Sequence, residues 1–223
     1  MKVLLLIPSF FIFLYCFYKF IKDDYVLMRK NISSEQSFDI IFSVTLISFL
    51  FSRLFFFMFH PQKGENIFLS FLSQSGDLSI IGGVVGGLVG VYLICKYKRV
   101  PLGRFSDFLA LAFVASLPLG FLSQIFFAPK SQWILYFIAS VLYFIIAIIF
   151  MRRLHKRLIN RTVREGKISA AFLMFFSLIT FFFSLALSFK DIKTLISPEN
   201  FVLGGIFLLS TFLLIKLRAG GKR

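Results

Sequence analysis

Hydrophobic residues run through this chain in seven long segments, which are separated by short polar stretches. Most of the segments approach the roughly 20 apolar residues that an α-helix needs to cross a bilayer. The pattern therefore predicts an all-α, polytopic membrane protein with about seven transmembrane helices in a single transmembrane domain, residues 1–223. The predicted spans are Val3–Phe17, Ile40–Phe59, Leu78–Cys95, Phe108–Phe127, Trp133–Phe150, Ile168–Phe189 and Phe201–Ile215.

The third segment carries glycines at a helical spacing. Gly82, Gly86 and Gly90 recur every four residues, and Gly83 and Gly87 repeat the spacing one position later. On a helix these residues form a strip without side chains, along which another backbone or a lipid chain can lie close. The strip has two interpretations: it packs one helix against another, or it also lines a lipid pocket.

Charge is distributed unevenly between alternate loops. Nineteen of the 25 Lys and Arg residues fall on one side of the predicted membrane, in residues 19–30, 96–104, 152–167 and 216–223. Because basic loops are retained in the cytoplasm, the distribution predicts an N-out and C-in orientation. We therefore expect the basic residues behind the net charge of +15 to contact anionic lipid headgroups. We exclude nucleic acid as a partner.

Composition supports a membrane protein and excludes several other classes. Hydrophobic residues make up 58% of the chain, and the mean hydropathy of +0.88 is far above that of a soluble domain. The two cysteines, Cys16 and Cys95, lie far apart within apolar segments. Neither a disulfide framework nor a metal-ligand spacing is present, so the sequence predicts no metal and no cofactor.

Few polar residues are placed to carry chemistry. Arg53 lies in the outer third of the second predicted helix, where a charge is expensive and therefore a functional candidate. Its planar guanidinium suits a lipid phosphate, although it could instead reach toward the outer headgroups. Gln124, near the outer end of the fourth helix, and His60, at the outer end of the second, are further candidates. We expect Arg53 to point inward, toward a cavity that opens to the outer leaflet and is flanked by the Gly82–Gly90 face.

In order along the chain, several motifs resemble those of the bacterial prolipoprotein diacylglyceryl transferases. That family has an Asp followed by an Arg late in its second helix, as Asp39 and Arg53 are here. A glycine-rich run opens its third helix, and 76–87 resembles that run. The start of its fourth helix and the Ser-Gln before its fifth resemble 106–110 and 131–132.

The chain departs from the family pattern at most polar positions. The fourth-helix signature of the family, G-R-x-G-N-F-x-N-G-E, falls on residues 120–129. Phe121 therefore takes the place of the arginine, and Gln124 takes the place of the first asparagine. The arginine and glutamate of the family's sixth helix fall near Thr180 and Ser184, which are both neutral.

The resemblance implies a reaction, partners and a location. It implies transfer of diacylglyceryl from phosphatidylglycerol, or a similar anionic phospholipid, to a prolipoprotein cysteine in the bacterial cytoplasmic (inner) membrane, with prolipoprotein signal peptides as partners. It also implies a phospholipid site formed by Arg53, Gly82, Gly83 and Gln124, whereas the catalytic residues stay unknown. The departures leave enzymatic activity open. The two alternatives are a divergent transferase and an inactive relative that binds lipid or assists membrane-protein assembly.

Overall fold

The computed structural model describes residues 7–22, 24–30, 32–59, 78–159, 163–187 and 197–219. Six helices within these ranges are long and apolar enough to cross a membrane. The all-α, polytopic membrane fold predicted from the sequence is thereby confirmed. A seventh long helix, Ile7–Lys22, has 16 described residues, so the count of seven spans and the N-out orientation stay predictions.

Helices make up most of the described residues. In chain order they are α1 (Ile7–Lys22), α2 (Tyr25–Arg29), α3 (Ser34–Phe59), α4 (Ile80–Tyr97), α5 (Leu102–Ile125), α6 (Trp133–Ile149), α7 (Lys156–Ile159), α8 (Lys167–Leu187) and α9 (Pro198–Ala219). A 3₁₀ turn, Lys130–Gln132, precedes α6, and a π-helical turn, Phe150–His155, joins α6 to α7.

Helix α3 begins six residues before the predicted span because its polar first turns are capped. The Ser33 hydroxyl accepts a hydrogen bond from the Gln36 backbone N–H at 3.1 Å, and the Gln36 side chain accepts one from the Ser33 N–H at 3.4 Å. This reciprocal pair is a capping box, which satisfies two amides that a helix start leaves without partners. Apolar residues alone could not locate that helix start.

The described residues divide into two compact units. The smaller one, residues 26–102, contains α3 and α4 and is called the α3–α4 unit below. The other, residues 1–25 and 103–223, contains α1 and α5 to α9 and is called the large unit. The prediction of a single transmembrane domain over residues 1–223 stays a prediction.

Buried charges hold one end of the large unit together. Arg104, at the start of α5, donates to the Asp24 carboxylate from Nε at 3.0 Å and from Nη2 at 2.5 Å. Its Nη1 donates to the Leu158 carbonyl of α7 at 2.7 Å. Arg104 and Asp24 are both almost completely buried, so one guanidinium joins the chain after α1 to α5 and to α7.

A second carboxylate at this end caps α8. Asp107 of α5 accepts hydrogen bonds at 2.8 Å from the backbone N–H groups of Gly166 and Ser169. Amides at a helix N-terminus lack partners within the helix, and a carboxylate also interacts favourably with the positive end of the helix dipole. Gly166 has φ +84°, a left-handed conformation that glycine adopts without strain. Asp107 is therefore a structural residue that joins α5 to α8.

Candidate functional site

The glycine strip of α4 packs directly against α3. A Cβ atom added to Gly82 would lie 2.5 Å from Cβ of Phe55 and 2.7 Å from the carbonyl oxygen of Phe51. At Gly86 an added Cβ would meet the Phe51 side chain and, at 3.0 Å, the Ser48 Cα. The helix-packing interpretation of the strip is thereby confirmed, since α3 occupies the face that Gly82 and Gly86 form.

Two serines of α3 complete the contact with α4. The Ser48 hydroxyl donates to the Gly83 carbonyl at 2.6 Å, and the Ser52 hydroxyl donates to the Ser79 carbonyl at 2.7 Å. Ser79 returns a bond from its backbone N–H to the Ser52 carbonyl at 3.2 Å. Neither Ser48 nor Ser52 was predicted from the sequence. Their four-residue spacing, which matches the spacing of the glycines, is the signal that could have found them.

Arg53 lies on a different side of α3. Because successive residues of an α-helix are about 100° apart, Arg53 is roughly 160° around the helix from Phe55, which faces α4. Its side chain is 7% exposed, and its guanidinium carbon lies 5.0 Å from the centroid of the Phe57 ring. A cation over an aromatic face gains electrostatic stabilisation when it is desolvated. Arg53 is thus not on the side of α3 that Gly82 and Gly86 pack against, and its orientation toward a cavity flanked by the Gly82–Gly90 face stays a prediction.

Phe121 of α5, where the resembling family has an arginine, lies in a cluster of aromatic rings within the large unit. Its ring stacks on Tyr143 of α6 at 5.1 Å between centroids and meets Phe183 of α8 edge-on at 5.5 Å. Phe183 in turn contacts the edge of Tyr136 at 5.1 Å. Phe121 and Tyr143 are 4% and 1% exposed, so these two rings are packed core, while Tyr136 and Phe183 are half-buried beside them.

One hydroxyl pair accompanies the aromatic cluster. The Tyr143 hydroxyl lies 3.3 Å from the Thr180 hydroxyl, near the level at which the family pattern carries an arginine on its sixth helix. A buried phenol usually finds such a partner, because an unpaired hydroxyl in an apolar core is unfavourable. The position is neutral and satisfied by a neighbouring helix, so it offers no charge to a phosphate.

Of the two remaining candidates, Gln124 and His60, the structure describes Gln124. Gln124 is half-buried near the end of α5, and its backbone carbonyl accepts hydrogen bonds from the N–H groups of Phe127 and Ala128. His60 lies outside the described residues. Within the described ranges, no group of three or more His, Cys, Asp or Glu residues is arranged to hold a metal ion. Gln124 belongs to the large unit and Arg53 to the α3–α4 unit.

Comparison with known proteins identifies one family. The sequence model of the prolipoprotein diacylglyceryl transferases matches residues 3–213. A stretch of 106 residues is 28% identical to a phosphatidylglycerol–prolipoprotein diacylglyceryl transferase of Prochlorococcus marinus (strain MIT 9301) and covers 41% of this chain. A stretch of 95 residues is 26% identical to the transferase of that name from Staphylococcus aureus (strain JH9) and covers 42% of this chain.

These pairwise matches are partial. The matched stretch spans 36% of the Prochlorococcus marinus protein and 34% of the Staphylococcus aureus protein, little more than a third of either relative. No solved structure matches the chain. The family model thus covers nearly the whole chain, whereas the individual relatives cover less than half of it.

Proposed function

The chain belongs to the prolipoprotein diacylglyceryl transferase family, and on that premise we propose that it transfers diacylglyceryl from phosphatidylglycerol to the cysteine thiol of a prolipoprotein. The observation that carries the proposal is the match of the family model to residues 3–213 of 223. A multi-pass helical protein is also suited to a donor lipid that lies in a bilayer. The proposed location is the bacterial cytoplasmic (inner) membrane.

The reaction asks for two contributions from the protein. The thiol loses its proton, a sulfur–carbon bond forms, and the carbon–oxygen bond to the phosphate breaks, so that glycerol phosphate leaves with a proton. A base must accept the thiol proton, and positive charge must stabilise the phosphate as it leaves. Removal of one such stabilising donor typically lowers a rate by about 10²–10³.

Arg53 is the proposed phosphate ligand. Its burial and its position over Phe57 reduce the competition from water, which strengthens a charge-assisted hydrogen bond to a phosphate oxygen. Gln124 is proposed to hydrogen-bond the headgroup through its side-chain amide. Gly82 and Gly83 are proposed to contribute by holding α4 against the helix that carries Arg53. These four roles are predictions.

A second candidate function rests on the aromatic cluster. Phe121 stands where the family pattern has an arginine, and neither Phe121 nor the Tyr143 and Phe183 rings that contact it carry charge. A protein that lacks this charge retains the apolar surfaces for a lipid while losing stabilisation of the leaving group. The second candidate is therefore a family member that binds phospholipid, or assists the assembly of another membrane protein, without turnover.

Two measurements on the purified protein separate the candidates. The first is retention of phosphatidylglycerol through purification, and the second is diacylglyceryl transfer to a cysteine-containing signal peptide. Transfer by wild type, with loss in Arg53→Ala and no loss in the exposed control Arg29→Ala, supports the transferase. Retained lipid without transfer supports the second candidate. Failure of both, together with failure to complement a strain depleted of its own transferase, would contradict the proposal.

A further inference from the structure

Five helix ends meet at one end of the large unit. The Phe20 ring of α1 lies 4.5 Å from the His155 ring of the π-helical turn, and Arg104 joins α5 to α7. Asp107 holds the start of α8 against α5. A Cβ added to Gly166 would lie 3.9 Å from Cδ1 of Leu217, which places the end of α9 there as well.

The exposed charge at this end is strongly basic. The buried carboxylates Asp24 and Asp107 are occupied by Arg104 and by backbone amides, so they neutralise no surface charge. Among the described residues at this end, the exposed acid is Glu165. The exposed basic side chains define what we call the basic end: Lys19, Lys22, Arg152, Arg153, Arg157, Arg164 and Lys216.

The π-helical turn places two of these arginines at the surface. At the beginning of the turn Phe150 is 3% exposed, and its ring meets that of Phe175 edge-on, with 6.3 Å between the ring centroids. After the turn Leu158 is fully buried, and its carbonyl accepts a hydrogen bond from the Arg104 side chain. The turn keeps both residues in the core while Arg152 and Arg153 are exposed between them. Single π-helical turns inside longer helices are often found at functional sites.

We propose that the basic end binds the headgroups of anionic phospholipids in the leaflet that it faces. Exposed apolar residues adjoin the basic ones: Tyr18, beside Lys19, is 38% exposed, and Met151, beside Arg152, is 37% exposed. An apolar side chain next to a basic one can contact both parts of an anionic phospholipid, because the acyl chain lies next to the headgroup. The end of a membrane-spanning helix lies at that depth, which favours a lipid over an acidic protein as the occupant.

The test compares two spin-labelled lipids around the full-length protein in phosphatidylcholine vesicles. Phosphatidylserine is the anionic probe, because it lacks the glycerol headgroup of the proposed donor, and phosphatidylcholine is the neutral one. Wild type should select phosphatidylserine. The variant K19Q/R152Q/R153Q should lose about tenfold of that selectivity at low salt, and added salt should lower the wild-type value. The charge-conserving variant K19R/R152K/R153K should retain it.

Matched variants show whether the selectivity belongs to the basic end. Lys130→Gln, an exposed lysine in the 3₁₀ turn before α6, should leave the selectivity unchanged. The assay measures lipid selectivity without any transfer reaction, so failure of the proposed transferase activity would not affect this result. Equal selectivity in wild type and K19Q/R152Q/R153Q would overturn the proposal. So would absent lipid selectivity together with charge-dependent binding of polyglutamate, which would assign the basic end to an acidic protein.

Discussion

The α3–α4 contact and the aromatic cluster of the large unit pack helices in opposite ways. Between α3 and α4, glycines bring the backbones together, and serine hydroxyls bond to main-chain carbonyls. Among α5, α6 and α8, large rings fill the space, and the hydroxyls of Tyr143 and Thr180 pair with each other. In a bilayer both contacts depend on close packing, because lipid chains are as apolar as the side chains.

The comparison shows where the chain tolerates change. A close backbone contact leaves no room for one added carbon, whereas a ring cluster is sensitive to lost volume or introduced charge. It also bears on function. The position of the family's arginine lies inside the ring cluster, so a charge restored there must enter a packed apolar core.

The largest expected effect is therefore that of Phe121→Arg. The guanidinium would replace a ring that is 4% exposed and contacts two aromatic neighbours, and the destabilisation should be about 3 kcal/mol or more. Thermal unfolding of the detergent-solubilised protein measures it. Phe126→Arg is the control, since Phe126 is 74% exposed just beyond α5. A stable Phe121→Arg protein with increased transfer activity would show that the cluster conceals a working site.

The next largest effect is expected for Gly82→Ala. The added methyl would overlap Phe55 and the Phe51 carbonyl, so α3 and α4 would have to separate, at about 1–3 kcal/mol. Gly83→Ala is the matched control, because its added Cβ would meet Ser48 Oγ at 3.6 Å and Ser52 Cβ at 3.7 Å, which are ordinary contacts. Unfolding midpoints of the two variants measure the difference. Equal midpoints would disprove the close contact at Gly82.

These two regions differed in how far the sequence could predict them. The glycine spacing was visible because glycine is uncommon in a helix and its period matches the helix repeat. The aromatic cluster was not visible because the chain has 34 Phe residues, so that no single ring stands out from those that face lipid. Helix existence followed from hydropathy, whereas the start of α3 depended on a capping box and that of α8 on Asp107 from another helix.

The predicted site shows the same limit. Arg53 was found because a charge inside an apolar segment is unfavourable enough to be noticed. The side of α3 on which Arg53 lies relative to α4 depends on which α3 residues pack against α4. The sequence of α3 alone does not determine those contacts, because they also depend on α4. The pairing of Asp24 with Arg104 joins residues 80 positions apart, which spacing rules for a single helix cannot predict.

The smallest expected effects are those of the hydroxyl groups, and they test whether the two regions use polar atoms differently. Ser52→Ala removes a 2.7 Å bond to the Ser79 carbonyl and should destabilise the protein by about 0.6 kcal/mol, the average for interhelical hydrogen bonds in membranes. Tyr143→Phe keeps the ring stacked on Phe121 and removes a longer 3.3 Å contact, so its effect should be smaller still. Combining Ser52→Ala with Tyr143→Phe should give additive changes in the unfolding midpoint, because the two bonds share no partner. A larger loss for Tyr143→Phe than for Ser52→Ala would mean that the hydroxyl pair, rather than ring packing, holds the aromatic cluster together.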